Sequence, residues 1–286
     1  MPSMHAHERV EYLEVGAMED ADWSNAVKGI DTIVHLAARV HVMNDTVVDP
    51  LVEYRKSNVL ATSRLVDQAV KGEVRRFIYI STIKVNGERT DKSPFTEIDS
   101  VDPVDPYAIS KWEAEQELIE ASKRTGLEVV IIRPPLVYGP FVKGNLLTLI
   151  RLIESGVPLP LGMIDNRRSL LGVENLSDLI GACIGNPNAN GEVFLASDGE
   201  DISTPELIRV IADALDRKAR LFPVPPRLLT IAAGLFGKGD LIRRLADSLQ
   251  VDSSKARRLL GWTPPRNLVD GVKIMARSYQ ERRSQR

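Results

Sequence analysis

Three runs of apolar, largely β-branched residues set the strongest limit on how this chain can fold. They are Ile30–Ala38, Arg76–Thr82 and Leu127–Arg133. None of them alternates polar with apolar, so each predicts a strand buried on both faces, as in a parallel sheet. Helical periods lie between them, at Pro50–Lys71 closed by Gly72 and at Tyr107–Thr125 closed by Gly126. Strand, helix, strand, helix, strand is the rhythm of an α/β chain whose sheet carries helices on both faces. A short strand is expected earlier, at Tyr12–Gly16, and a short helix at Asp22–Lys28. After Pro140 the rhythm loosens. Helices are expected at Leu146–Ser155, Leu176–Ile184, Pro205–Leu215, Ser253–Leu260 and Leu268–Arg282, and a strand at Glu192–Ser197. Thr204-Pro205-Glu206 reads as a helix start with Thr204 as the capping hydroxyl.

Composition removes several function classes. With 286 residues, 43% of them hydrophobic, the chain can bury a core and is not a disordered polymer. Cys183 is its single cysteine, which excludes a disulfide scaffold. A net charge of −2 argues against a general nucleic-acid binder. The longest membrane-like stretch, Leu228–Phe236, is far short of the roughly 20 residues a span needs, and reads as a buried or amphipathic helix. The N-terminus has no apolar signal-like core, so a cytoplasmic protein is expected. His5, His7 and His41 form no metal-ligand pattern, and no metal is expected.

The segment that carries chemistry is Tyr107-Ala108-Ile109-Ser110-Lys111. Residues four apart on a helix share a face. A free tyrosine is a poor base at neutral pH, and a nearby ammonium favours its phenolate. Such a pair can move a proton on or off a sugar hydroxyl while hydride moves elsewhere. By itself the spacing is also that of a surface pair. Context weighs against that: Ser81-Thr82 ends the second buried run, and Pro134-Pro135-Leu136-Val137-Tyr138-Gly139-Pro140 follows the third. Both lie at the carboxyl edge of the expected sheet, where ligands of open α/β sheets bind.

Together these segments resemble the extended short-chain dehydrogenase/reductase superfamily, in particular its nucleotide-sugar epimerases and reductases. The matching stretches are His35–Ala38, Asn58–Thr62, Ser81–Gly87, Tyr107–Lys111, Arg133–Pro140, Asp252–Ala256 and Leu260-Gly261-Trp262. The resemblance implies a Rossmann-like, doubly wound parallel sheet in residues 1–140. It implies a smaller α/β lobe for the nucleotide sugar in residues 141–286, with some segments returning to the sheet. It implies Tyr107 as acid/base, Lys111 as its charge partner and holder of the nicotinamide ribose, and Thr82 on the reacting sugar oxygen. Leu36, Ala37, Ala38, Asn58, Ser81 and Pro134 would line the NAD side, with NADP as the alternative cofactor. For Asn58 the other reading is a mid-helix asparagine satisfied by backbone. Asn145, Arg168 and Arg243 would meet the diphosphate of a UDP-sugar. For Arg168 the other reading is a surface arginine, with the diphosphate role favoured, and Arg243 with Arg244 reads equally as a solvated helix face. His35 reads as a packing residue at a strand end. The family also implies a homodimer built on the Pro50–Lys71 and Tyr107–Thr125 helices.

Two departures shape the expectation. Acidic residues do not follow Thr82, where Ile83-Lys84 stands, which disfavours dehydration and decarboxylation. What remains is 4-epimerisation of a UDP-(N-acetyl)hexose, with reduction of a 4-keto sugar as the alternative. The family's glycine-rich strand–turn–helix is also missing. The chain is therefore expected to be truncated by a first strand–helix–strand unit of roughly 30–45 residues, with weakened cofactor binding. A non-catalytic nucleotide-sugar-binding remnant is the reading of another class.

Overall fold

The computed structural model describes residues 10–40, 49–235 and 245–284. The three apolar runs form adjacent parallel strands: β1 (Thr32–His35), β2 (Arg76–Ile80) and β3 (Glu128–Arg133). A fourth, β6 (Val193–Leu195), joins β3, giving the parallel order β1-β2-β3-β6. Thus a strand from beyond residue 141 does return to the first sheet. Phe77, Ile78, Val130 and Ile132 are fully buried, as strands covered on both sides require. One layer packs Phe77, Tyr79, Val129 and Ile131 against Leu65, Leu118 and Ala114. The other packs Ile78, Val130 and Ile132 against Leu179, Cys183 and Trp262.

The expected first helix is continuous but not regular. It runs as α1 (Pro50–Tyr54), a π-helical turn (Arg55–Leu60) and α2 (Ala61–Lys71). Asp49 caps its start by accepting from the backbone N–H groups of Leu51 and Val52. α3 (Pro106–Thr125) starts under an Asp105 cap and ends at Gly126, whose φ of +77° an L side chain adopts only under strain.

Several expectations need correction. Tyr12–Gly16 forms no strand, and Tyr12 and Leu13 are exposed. Alternation makes a strand only where a ladder partner exists, and this segment has none among the described residues. Asp22–Lys28 forms turns rather than a helix, which suits a segment too short to offset helix nucleation. Ser203, not Thr204, caps α6 (Thr204–Ala214). Its Oγ accepts from Glu206 N at 3.3 Å while Glu206 accepts from Ser203 N at 2.9 Å, a reciprocal capping box.

A second, three-stranded sheet lies beyond β3, with strands at positions the sequence pattern does not mark. β4 (Leu136–Tyr138) pairs in parallel with β5 (Arg168–Gly172), which pairs antiparallel with β7 (Asp201–Ile202). Around it pack α4 (Gly144–Glu154), α6 and the C-terminal helix Leu268–Ser284, through Ile150, Ile208, Ile211, Val272 and Met275. α5 (Val173–Gly185) follows β5, α7 spans Pro226–Leu235, and a short helix covers Ser254–Leu260. No helix among the described residues is long and apolar enough to cross a membrane.

Tyr138 ties β4 to the C-terminal helix. Its hydroxyl donates to Asp198 Oδ2 at 2.6 Å and lies 3.2 Å from the Leu268 carbonyl oxygen. The helix comes this close because residue 271 is glycine: a Cβ there would overlap the Tyr138 hydroxyl. Gly271→Ala is expected to cost about 1–3 kcal/mol through overpacking. The measurement is the urea midpoint, and an unchanged midpoint would show that the helix can slide away freely.

Candidate active site

Because β1, β2 and β3 are parallel, the segments leaving them emerge on one rim. From β1 come Leu36, Ala37 and Ala38; from β2, Ser81 and Thr82; from β3, Pro134. The turn after β2 is fixed against the one after β3, with Ser81 N donating to Ile132 O (2.8 Å) and Ile83 N to Pro134 O (2.9 Å). Thr82 caps a 3₁₀ turn, Ile83–Val85, by accepting from Lys84 N at 3.3 Å. α3 is brought to this turn from its N-terminal side. Lys84 pairs with Asp105, the residue that caps α3 by accepting from Ala108 N at 2.7 Å. Asp102 N donates to Val85 O at 3.0 Å. These bonds tie the turns that carry Ser81, Thr82 and Pro134 to the start of the helix that carries Tyr107 and Lys111.

Three buried side chains lock that arrangement from behind. Arg133, at the end of β3, meets Glu115 with Nε 3.0 Å from Oε1 and Nη2 2.5 Å from Oε2. Its Nη1 donates to Asn86 Oδ1 at 2.9 Å, and Asn86 Nδ2 donates to the Thr96 carbonyl. Arg133, Glu115 and Asn86 are all buried. Asn86 lies four residues after Thr82, Glu115 four after Lys111, and Arg133 directly before Pro134. The ion pair joins β3 to α3, and the bond to Asn86 extends the link to the turn after Thr82. Sequence reasoning passed over it, since an arginine and a glutamate read as surface charges. The usable signal was spacing: Glu115 continues the face of Tyr107 and Lys111 along the helix.

Asn58 sits in the π-helical turn and uses its amide inside the chain. Oδ1 accepts from Arg39 N at 2.7 Å; Nδ2 donates to Arg39 O at 3.1 Å and to Ser110 Oγ at 2.9 Å. Ser110 Oγ in turn donates to the Tyr107 carbonyl at 2.8 Å. Asn58 therefore couples the segment after β1 to the Tyr107 helix. Tyr54, another residue not anticipated, meets the Tyr107 ring edge-on at 6.1 Å. His35 is a packing residue, as expected from its place. It is buried against Phe77 and Tyr79.

The electrostatics differ from the simple expectation for the pair. Burial, then Asp105 and Tyr54, pushes the Tyr107 phenol up to about 12. Burial brings the Lys111 amine down to about 7, against a smaller upward pull from Glu115. In the chain by itself, dehydration is the largest cause for both groups. The amine also has another partner, lying 3.9 Å from the centre of the Tyr79 ring.

The residues expected at the diphosphate lie farther along. Asn145 is exposed in the first turn of α4. Arg168 opens β5, donates from Nη1 to the Asp247 carbonyl at 3.0 Å, and is held below its usual pKa by burial. Arg243 lies outside the described residues.

Comparison with known proteins places this architecture. The description of the NAD dependent epimerase/dehydratase family matches residues 2–196. A UDP-glucose 4-epimerase of Vibrio cholerae is 46% identical over 270 residues, 93% of this chain and 82% of that protein. The N-acetyl-alpha-D-glucosaminyl-diphospho-ditrans,octacis-undecaprenol 4-epimerase of Escherichia coli O157:H7 is 28% identical, over 83% of this chain and 69% of its own length. Among solved structures, a dTDP-glucose 4,6-dehydratase from Streptomyces venezuelae with NAD and DAU bound superposes with a TM-score of 0.75. It is 26% identical, over 94% of this chain and 80% of that one. By its parallel sheet, its rim and this match over well over half its length, the chain belongs to the NAD dependent epimerase/dehydratase family.

Proposed function

We propose that the protein is a nucleotide-sugar 4-epimerase, acting with NAD on a UDP-(N-acetyl)hexose through a transient 4-keto sugar. The observation that carries this reading is the tie between the Thr82 turn at the strand rim and the start of the helix that bears Tyr107 and Lys111. The 46% identical UDP-glucose 4-epimerase supports it.

The chain's own residues fit the nicotinamide end of NAD. Leu36 and Ala37 lie exposed at the rim, and small side chains at positions 37 and 38 allow a flat ring system close approach. Ser81 Oγ is buried without a hydrogen-bond partner among the described residues, a donor awaiting an acceptor. The Lys111 ammonium makes no hydrogen bond among them either, and can serve the ribose hydroxyls. NAD, when bound, supplies the hydride acceptor and donor at C4 of the sugar. Thr82 hydrogen-bonds the C4 oxygen and fixes its place. Tyr107 as phenolate takes the hydroxyl proton and, as phenol, later returns it to the keto oxygen. Its resting pKa of about 12 means it starts as the phenol, so forming the phenolate needs positive charge nearby. Protonated Lys111, one turn on, is the chain's own source of that charge. Residues 1–140 serve mainly the cofactor and residues 141–286 mainly the sugar nucleotide, with Asn145 and Arg168 toward the diphosphate. The helix pair Pro50–Lys71 and α3 is the proposed face of a cytoplasmic homodimer.

Incubation with UDP-GlcNAc and added NAD is expected to yield UDP-GalNAc, and UDP-glucose to yield UDP-galactose, read by chromatography. No conversion of either, with NAD(P)H consumed on a 4-keto sugar, would overturn epimerisation in favour of reduction.

A further inference from the structure

Lys111 is a buried amine whose surroundings hold few acceptors. Its side chain is 1% exposed. Burial disfavours the charged form, yet the reaction needs that form. Among the described residues its ammonium makes neither a hydrogen bond nor an ion pair. Glu115, one turn along the helix, has its carboxylate engaged with Arg133. What the ammonium does touch is the face of the Tyr79 ring, at 3.9 Å from the centroid.

That ring is held firmly. Tyr79 is fully buried in β2. The His35 ring stacks on it at 5.6 Å with 30° between planes. His35 Nε2 in turn lies 3.0 Å from Thr62 Oγ1, which donates to the Asn58 carbonyl at 2.6 Å. The titratable and charged groups around the amine are few. Tyr107 and Glu115 lie on its own helix, Arg133 comes from β3 but is paired, and Tyr79 comes from β2. His35 at the end of β1 is kept neutral by burial first and by Lys111 second, its pKa near 4. Asn58 and Thr62, from the π-helical turn and α2, do not titrate. A quadrupolar ring face is therefore the group in direct contact with the cation, beside the longer-range pull of Glu115.

We propose that Tyr79 is a positioning residue: its ring face seats the Lys111 ammonium, keeping it charged and in place one turn from Tyr107. The inference rests on the reading of Lys111 as the lysine of an epimerase site. Its first test nevertheless needs neither sugar nor NAD. In the full chain, labelled at lysine side chains, the Lys111 resonance is assigned by its loss in Lys111→Arg and then titrated by NMR. Tyr79→Phe keeps the ring and is expected to leave the Lys111 pKa within a few tenths of a unit. Tyr79→Leu removes it and is expected to lower that pKa by about one unit, a tenfold shift in the protonated ratio. An unchanged Lys111 pKa in a folded Tyr79→Leu variant would overturn the proposal. Should that variant fail to fold, phenylalanines with one to three ring fluorines at position 79 keep the shape and drain the ring's charge. A stepwise fall in the Lys111 pKa supports the seat; a flat series sinks it. In the working epimerase the same series lowers kcat at neutral pH and leaves KM for the sugar nucleotide in place. Failure of epimerisation itself would leave the titration result standing.

Discussion

Tyr107→Phe is expected to lower kcat for epimerisation by about 10²–10⁴-fold, the range for loss of a positioned acid/base. The change deletes one oxygen and keeps the ring that packs edge-on against Tyr54. The helix cap at Asp105 and the Ser110 bond to the Tyr107 carbonyl do not involve that oxygen, so the fold is expected to survive intact. Initial rates with saturating UDP-sugar, beside a thermal melt of each protein, separate chemistry from stability. Full activity in the Phe variant would refute the role given to Tyr107. A large drop in melting temperature would recast the residue as structural.

Breaking the Arg133–Glu115 pair is expected to have the largest effect on stability. Arg133→Met leaves Glu115 charged, fully buried and without its two-point partner, and leaves Asn86 Oδ1 without its donor. Removing one member of a buried pair costs about 3–5 kcal/mol. The double variant Arg133→Met, Glu115→Leu removes both charges and is expected to recover much of that loss, since an apolar pair of similar volume replaces a dehydrated ionic one. Urea unfolding of the two singles and the double gives the coupling directly. Additive losses would mean that the two side chains do not act together. The double variant is also expected to lose activity despite regained stability, because the arginine joins the Thr82 turn to the Tyr107 helix.

What the sequence made legible follows from how far each interaction reaches. Ile33, Phe77 and Val130 lie in runs whose chemistry alone demands two covered faces, so β1, β2 and β3 were readable without their partners. Tyr12–Gly16 looked like a strand by alternation, but a strand is a relation between two segments, and it stays unpaired among the described residues. The short strands β4, β5 and β7 are three, five and two residues long and draw stability from one another and from α6 rather than from local pattern. Within the proposed site, Tyr107, Lys111 and Thr82 stood out through their spacing and strand-end position taken together with the family resemblance. Tyr79, Tyr54, Asn86 and Arg133 did not, because each acts through a neighbour remote in sequence.

The π-helical turn at Arg55–Leu60 has a consequence for how this site tolerates insertion and deletion. Each residue advances an α-helix by about 100°. A wider turn therefore absorbs one extra residue without letting the two halves of the helix lose phase. Tyr54, before the turn, faces Tyr107, while Thr62, after it, faces His35. Removing one residue from the turn would regularise the helix and rotate one set of partners away from the other. In this helix residue number, rather than residue identity, keeps the two halves of the site in step.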